Sequence, residues 1–137
     1  MQDDDNVLDQ FEIDIDDSAI HLLTKAPLAT ELRLITVAMK ISQNLERVGD
    51  EAVTIARRAV DLNAEPQLKP YIDIPRMAEA AQKMLKDSLD AFVAKDADLA
   101  LKVCEADDFV DNLNHQIFNE LLVYMLQDPK NISRAVR

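Results

Sequence analysis

The chain has 137 residues, of which 48% are apolar and 30% charged, so it can bury a core and is not a disordered segment. Its 26 Asp and Glu residues outnumber 15 Lys and Arg residues, which gives a net charge of −11. Without a basic patch, that charge repels nucleic-acid phosphates and anionic lipid head groups, so direct binding to either is not expected.

The composition favours helices along the whole chain. Ala, Leu, Glu, Lys and Met dominate, there is one Gly, and no alternating run of β-branched residues predicts a strand. We therefore expect an all-α fold, an antiparallel helical bundle of four helices. The first helix is predicted over about 5–25 and is broken by Pro27, and the second extends over about 29–63.

Proline and aspartate mark the bounds of the third and fourth helices. Asp73 is expected to cap the third helix, which tolerates Pro75 in its first turn and continues to about 95. Asp96 or Asp98 is expected to cap the fourth helix, which runs to about 127 and is ended by Pro129. Each helix carries apolar residues at helical spacing, and so each has one side suited to packing.

The chain contains an internal repeat with a period of 102 residues. Placing residue n on residue n+102 aligns Asp5 with Asp107, Asp9 with Asp111, Ile15 with Ile117 and Pro27 with Pro129. A period this long suggests a duplicated helical bundle rather than a solenoid. We predict a first repeat over 1–63, a linker over 64–74 and a second repeat over 75–137. On this interpretation the first repeat lacks its first helix and the second lacks its last.

Three pairs of acidic residues have the i,i+4 spacing that places both carboxylates on one helix face. The pairs are Asp5/Asp9, Glu46/Asp50 and Asp107/Asp111. The last two pairs fall within apolar stripes, where an uncompensated carboxylate is costly, so a positive partner is expected there. The first pair continues through Glu12 and Asp16 as an acidic stripe, which is typical of a solvated face.

The positive partner can be a metal ion or a basic side chain. Clusters of carboxylate oxygens suit iron, manganese, magnesium or calcium, so all three pairs are candidate metal ligands. Alternatively, Arg47, Arg57 or Lys102 neutralises the carboxylates in intramolecular salt bridges. His115 lies one turn after Asp111 and is a weaker candidate ligand.

The remaining residues indicate no catalytic chemistry. No nucleophile stands out, and no helix has the Glu-x-x-His pattern of di-iron carboxylate proteins. His21 is expected to be an ordinary helix residue, and Cys104 is expected to pack as a small hydrophobic residue. A single cysteine fits a reducing compartment, no apolar run is long enough to span a membrane, and the acidic start at 1–5 is unlike a signal peptide. We therefore expect the protein to be located in the cytoplasm.

Two motifs resemble those of the PhoU phosphate-uptake regulator family. Residues 45–50, Leu-Glu-Arg-Val-Gly-Asp, resemble the family's Leu-Glu-Arg-Ile-Gly-Asp motif. Residues 27–33 correspond to the Pro-x-x-Asp-Leu-Arg sequence that precedes this motif in the family, with Glu31 in place of Asp. The Asp-x-x-x-Asp at 107–111 resembles the family's other signature, and 5–9 repeats it. The resemblance covers essentially the whole chain, with Thr54 where the family usually has Asn.

The resemblance implies two three-helix bundles in tandem that bind multinuclear iron, with manganese, magnesium or zinc as alternative metals. It assigns the first metal site to Asp5, Asp9, Glu46 and Asp50, and half of a second site to Asp107 and Asp111. It also implies a cytoplasmic adaptor without enzymatic activity. Such an adaptor negatively regulates phosphate-starvation signalling between the ATPase of a phosphate ABC transporter and a sensor histidine kinase.

Incomplete bundles expose apolar stripes that favour association, so we expect a homodimer or a compact four-helix arrangement of two hairpins. Two other classes of function stay open at this point. One is a carboxylate-bridged di-metal enzyme built on a helical bundle. The other is a metal-free protein-interaction module whose acidic pairs are neutralised by Arg and Lys.

Overall fold

The computed structural model describes residues 2–136, with side chains from residue 6 onward. Four long helices account for most of this range: α1 (Gln2–Leu23), α2 (Ala29–Asn63), α3 (Asp73–Ala94) and α4 (Ala97–Gln127). A 3-10 turn at Pro129–Asn131 and a short helix α5 (Ile132–Ala135) follow. Residues 2–136 contain no strand, which confirms the all-α prediction.

The chain divides into two compact units, Met1–Glu65 and Pro66–Arg137. We call them the first hairpin, which contains α1 and α2, and the second hairpin, which contains α3 and α4. Within each unit the two helices pack along each other. Their connections, residues 24–28 and residues 95–96, are short enough that the paired helices run antiparallel.

The turn of the first hairpin depends on residues around Pro27. Ala26 adopts a left-handed backbone with φ of 52°, which turns the chain after α1. Leu28 then takes the N-cap position of α2, and its backbone N–H donates to the Glu31 carboxylate at 2.8 Å. Glu31 therefore satisfies one of the free N–H groups at the helix start and adds negative charge where the helix dipole favours it.

The turn of the second hairpin is set by Lys95 and Asp96. Lys95 is left-handed, with φ of 55°, and the Asp96 N–H donates to the Ala91 carbonyl at 2.9 Å, as in a Schellman motif. Asp96 then caps α4, as predicted, by accepting a hydrogen bond from the Leu99 N–H at 2.9 Å. The Asp96 carboxylate thereby satisfies one of the free backbone N–H groups at the start of α4.

The expectation that Asp73 caps α3 was wrong. Ile72 occupies the N-cap position, and Asp73 is the first helical residue. The Asp73 side chain is buried and its carboxylate accepts hydrogen bonds from Arg76 at 3.1 Å and from Gln116 at 3.3 Å. An interhelical polar contact therefore replaces the capping bond. Pro75 lies in the first turn of α3, as expected.

The two hairpins have different cores. In the first, the buried residues are small or medium in size: Ala19 on α1 and Ser42, Gly49 and Val53 on α2. In the second, two larger aliphatic side chains of α4, Leu113 and Ile117, are buried together with Ala91 of α3. Leucine and isoleucine remove more apolar area from water than alanine or glycine, so burial contributes more per residue in the second hairpin.

Many large apolar side chains remain exposed on every long helix. Examples include Phe11, Leu34, Ile55, Val93, Phe109, Phe118 and Leu126. The exposed fraction is 58% for Phe11 and 85% for Leu126. Surfaces of this kind mark contact sites for other chain segments or partners. Among the described residues, no helix is both long and apolar enough to cross a membrane.

Candidate metal site

The first acidic site is built from the antiparallel packing of α1 on α2. That packing brings the second half of α2, with Glu46 and Asp50, alongside the first half of α1, which carries Asp9. Glu46 is partly buried, whereas Asp9 and Asp50 are exposed. Asp5 is the fourth predicted ligand, and its side chain is not among those that the structure describes.

The electrostatics of Glu46 show that acidic groups of both helices face one another. Partial burial raises the pKa of the Glu46 carboxyl, and the neighbouring Asp50 raises it further by repulsion and by accepting a hydrogen bond from the protonated form. Glu12 and Asp9 of α1 also raise this pKa. Carboxylates of α1 and α2 are therefore close enough to destabilise one another when ionised.

Glu12 is a member of this cluster that the i,i+4 pairing did not identify. It lies three residues after Asp9, so both residues project from neighbouring positions on the same side of α1. Its side chain is partly buried, as is that of Asp16 one turn later. The acidic stripe of α1 is therefore not wholly solvated. The i,i+3 spacing of Asp9 and Glu12 was the sequence signal that could have placed Glu12 in the cluster.

The basic residues proposed as counter-charges do not reach this cluster. The ion pairs among side chains 6–136 include Lys69–Glu120, Arg76–Asp73, Lys83–Asp87 and Lys86–Asp90. None of them includes a candidate metal ligand. Arg47 and Arg57 are exposed on α2 and form no ion pair with another side chain of that range. The negative charge of the first site is therefore not balanced by these two residues.

The chemistry of the first site fits a hard cation, but its geometry is not pre-arranged. Asp9, Glu12, Glu46 and Asp50 supply only carboxylate oxygens, the donors that Mg²⁺, Mn²⁺ and iron accept. Within side chains 6–136, however, no three Asp, Glu, His or Cys groups converge closely enough to hold one metal ion. These four residues could hold a cation only if their carboxylates moved closer together than they are in this structure.

The second acidic pair lies on α4 in the other hairpin. Asp107 and Asp111 are both exposed, and the apolar residue between them, Phe109, is half-exposed as well. His115 turns back onto its own helix, where Nδ1 donates to the Asp111 carbonyl oxygen at 2.8 Å. That bond leaves Nε2 as the ring nitrogen that could bind a metal. Neither Asp107 nor Asp111 forms an ion pair within the described side chains.

Cys104 does not pack as a small hydrophobic residue, contrary to the expectation. It is exposed on α4. The residue that packs from this part of α4 is Val103, which lines a groove of about 360 Å³ together with Met84 of α3 and Phe109. Because consecutive helical residues point about 100° apart, a groove that takes Val103 turns Cys104 towards solvent.

The sequence matches the PhoU domain family over residues 1–59 and 74–137. Its relatives include proteins named phosphate-specific transport system accessory protein PhoU homolog. The Aquifex aeolicus protein is 46% identical over 96% of this chain, and the Pseudomonas aeruginosa protein is 40% identical over 96%. Homolog 2 from Thermotoga maritima is 34% identical over 97%.

The alignments cover only part of each relative: 60% of the Aquifex protein, 55% of the Pseudomonas protein and 57% of the Thermotoga protein. This chain therefore spans little more than half the length of these relatives. Their names describe accessory proteins of a transport system and not enzymes. Both matched segments contain a helical hairpin with an acidic pair, which agrees with the resemblance seen in the sequence. The chain belongs to the PhoU domain family.

Proposed function

We propose that this protein is an accessory regulator of phosphate uptake and acts as an adaptor in the cytoplasm, without catalysis. The observation that supports this most directly is the family match over both hairpins, together with relatives named as accessory proteins of phosphate-specific transport. The adaptor connects the ATPase of a phosphate ABC transporter with a sensor histidine kinase and restrains phosphate-starvation signalling.

The charge distribution supports docking through the first hairpin. Residues 1–65 contain 14 acidic and 6 basic residues, and the helix α1 is the most acidic part of the chain. Such a surface attracts basic patches on partner proteins and accelerates their encounter, with an effect that weakens as salt is added. Exposed apolar side chains beside the acidic ones, such as Phe11, add contact area. The same exposed surfaces support assembly into a homodimer.

We also propose that the acidic pairs bind metal, with Asp5, Asp9, Glu46 and Asp50 as the first site and Glu12 beside them. Asp107 and Asp111 supply half of a second site. Multinuclear iron is the first candidate, and manganese, magnesium or zinc are alternatives. The mutual repulsion at Glu46 supports this proposal, because a cation between the carboxylates removes the repulsion that raises its pKa.

The docking proposal is tested with the purified 137-residue chain and with the transporter ATPase and the cytoplasmic part of the kinase from the same organism. Binding of each partner is measured by interferometry at 50 mM and at 300 mM salt. We expect binding that weakens at the higher salt, because exposed charges are screened. Absence of binding to both partners at low salt contradicts the adaptor role.

The metal proposal is tested separately by elemental analysis of the chain purified after growth with iron and manganese. The double variant Glu46→Ala plus Asp50→Ala is compared with Glu51→Ala plus Asp61→Ala, which removes two exposed carboxylates from the same helix. Loss of metal in the first variant and retention in the second is expected. Equal metal content in wild type and both folded variants contradicts metal binding by Glu46 and Asp50, and no metal in any of the three proteins leaves the metal-free interaction module.

A further inference from the structure

The helices α1 and α4 occupy equivalent positions in the 102-residue sequence repeat, and each packs on another helix of its own hairpin. Placing residue n on residue n+102 shows which positions pack in both hairpins. Three equivalent pairs are buried or partly buried on both helices: Leu8/Val110, Ile15/Ile117 and Ala19/Leu121. At about 100° per residue these positions form one row along each helix, which is the packing row common to both.

On one flank of this row, α1 is covered where α4 is open. Glu12 and Asp16 of α1 are partly buried in the hairpin that α1 forms with α2. The equivalent residues of α4 are Asn114 and Phe118, and both are exposed, Phe118 to 57%. The flank of α1 that receives α2 is therefore open on α4 at these positions.

On the other flank the relation is reversed. Leu113 of α4 is buried and Tyr124 is partly buried in the hairpin that α4 forms with α3. The equivalent residues of α1 are Phe11 and Leu22, and both are exposed. Each of the two helices thus has two flanks suited to a neighbouring helix, and each hairpin covers only one of them. The open flank of α1 corresponds to the flank of α4 that α3 covers.

The helix α2 extends the open side of the first hairpin. Four of its exposed apolar residues lie roughly 60–120° of helical rotation from the buried Gly49: Leu34, Val37, Val48 and Ile55. On both α1 and α2 the open residues are displaced from the packed row in the same rotational sense, so in an antiparallel pair they lie on one side. We call this side the first-hairpin face: Phe11, Leu22, Leu34, Val37, Val48 and Ile55.

The second hairpin also has an open apolar side. Phe118 and Leu122 of α4 are exposed, and so is Ile74 in the first turn of α3. The Asp73 carboxylate accepts a hydrogen bond from the Gln116 amide at 3.3 Å, so the start of α3 lies beside this part of α4. We call this side the second-hairpin face: Ile74, Asn114, Phe118 and Leu122. Each face contains an exposed aromatic side chain, the kind of residue that is enriched in the cores of protein interfaces.

We propose that the first-hairpin face of one copy packs against the second-hairpin face of another copy. In this pairing, α3 of one copy covers the open flank of α1 in the other copy, and α2 covers the open flank of α4. Both α1 and α4 then have a neighbouring helix on each flank. The same contact formed twice, with the roles of the two copies exchanged, closes a dimer.

The charges of the helices that this contact brings together favour a second copy as the occupant. The helix α4 carries six acidic residues and one basic residue, whereas α2 carries five of each. Arg33, Lys40 and Arg47 recur every seven residues along α2 and are exposed. Pairing α2 with α4 therefore brings basic side chains to an acidic helix, which favours association. The inference specifies the interface of the homodimer proposed above and requires neither metal nor a signalling partner, so its failure leaves the adaptor role to its own test.

The association is tested with the whole chain by sedimentation velocity from about 1 µM to about 100 µM. We expect a species of twice the chain mass of 15.4 kDa. Phe11→Ser and Phe118→Ser should each raise the dissociation constant of the dimer at least about tenfold, because aromatic anchors dominate interfaces. Ile13→Ser and Val123→Ser change exposed residues on other sides of the same helices and should leave the constant unchanged. A monomeric wild type, or equal effects of all four changes, overturns the proposal.

The pairing of unlike faces is tested with Phe11→Lys and Phe118→Asp. Each variant alone should be monomeric, and folded by circular dichroism, because a charge replaces an apolar anchor in both contacts of the dimer. An equimolar mixture should form a heterodimer, because one contact then keeps both phenylalanines and the other pairs a lysine with an aspartate. A mixture that associates no more than either variant alone overturns the pairing of the two faces.

Discussion

The two hairpins have the same architecture but differ in how far basic side chains offset their carboxylates. Residues 1–65 hold 14 acidic against 6 basic residues, and carboxylates of α1 and α2 face one another around Glu46. Residues 66–137 hold 12 against 9, and four ion pairs between described side chains lie within this unit. One helical hairpin therefore pairs several of its carboxylates with basic side chains, whereas the other leaves carboxylates of two helices facing one another.

The cores differ in the same direction. The second hairpin buries Leu113 and Ile117, whereas the first buries the small residues Ala19, Ser42 and Gly49. A hairpin that buries little apolar area and keeps repelling carboxylates gains little stability from its own interactions. We infer that the first hairpin is the less stable of the two, and a cation at the proposed metal site would stabilise it. Four changes test whether the two hairpins differ in this way.

The largest effect is expected from Leu113→Ala in the core of the second hairpin. Leu113 is 5% exposed, and removing a buried leucine side chain lowers the free energy of unfolding by about 3 kcal/mol. Urea unfolding followed by circular dichroism measures this loss. Leu126→Ala, on the same helix but 85% exposed, is the control and should change stability by less than about 0.5 kcal/mol. Equal losses in both variants contradict the assigned core.

A comparable gain is expected when a divalent cation is added. A ligand at one hundred times its dissociation constant raises the free energy of unfolding by about 2.7 kcal/mol. Thermal unfolding with increasing Mg²⁺ or Mn²⁺ should show this gain in the wild type. Asp50→Asn should lose it, whereas Asp61→Asn, an exposed change on the same helix, should keep it. A gain of equal size in Asp50→Asn indicates binding elsewhere.

A smaller gain is expected at the two left-handed turn residues, one in each hairpin. Ala26 and Lys95 have φ of 52° and 55°, a backbone region that costs roughly 1 kcal/mol for residues with a Cβ. Ala26→Gly and Lys95→Gly should each raise the free energy of unfolding by up to about 1 kcal/mol. Lys95→Ala keeps the Cβ and should give no such gain, which separates backbone strain from loss of the lysine charge.

The smallest effect, a change in pH dependence, is expected from Glu46→Gln. Because the pKa of Glu46 is raised above its ordinary value of 4.5 in the folded state, the folded chain binds this proton more tightly than the unfolded chain. Stability therefore falls as the pH rises through the window above 4.5. Glu46→Gln removes that fall and should melt higher than the wild type at pH 7. Exposed Glu51→Gln is the control, and a lower melting temperature of Glu46→Gln at pH 7 contradicts the account.

Local sequence signals predicted most of the fold. The bounds of α2 followed from Pro27 and from the polar, proline-containing stretch after Asn63, and Asp96 capped α4 as expected. The assignment of Asp73 as a cap was wrong by one residue, because its carboxylate is used by Gln116 on another helix. A contact between two helices produces no periodic pattern in the sequence, so helical spacing cannot predict it. The contact between Lys69 and Glu120, 51 positions apart, was missed for the same reason.

The candidate site was predicted only in part. The i,i+4 spacing correctly grouped Glu46 with Asp50, and the structure brings Asp9 towards them. Helical periodicity assigns residues to a face but does not say which element covers that face. It therefore could not predict the exposure of Asp107 and Asp111, nor the approach of Glu12 to Glu46 across two helices. Metal binding at these residues stays a prediction.

The most direct test of the central claim is a ¹³C NMR titration of the Glu46 carboxyl in the metal-free chain, repeated in Asp50→Asn and with Mg²⁺ present. The account predicts that Glu46 titrates above 4.5 and that its pKa falls both when Asp50 is neutralised and when the cation is added. A Glu46 carboxyl that titrates at or below 4.5, and that responds to neither change, contradicts the claim that unbalanced carboxylates face one another in the first hairpin.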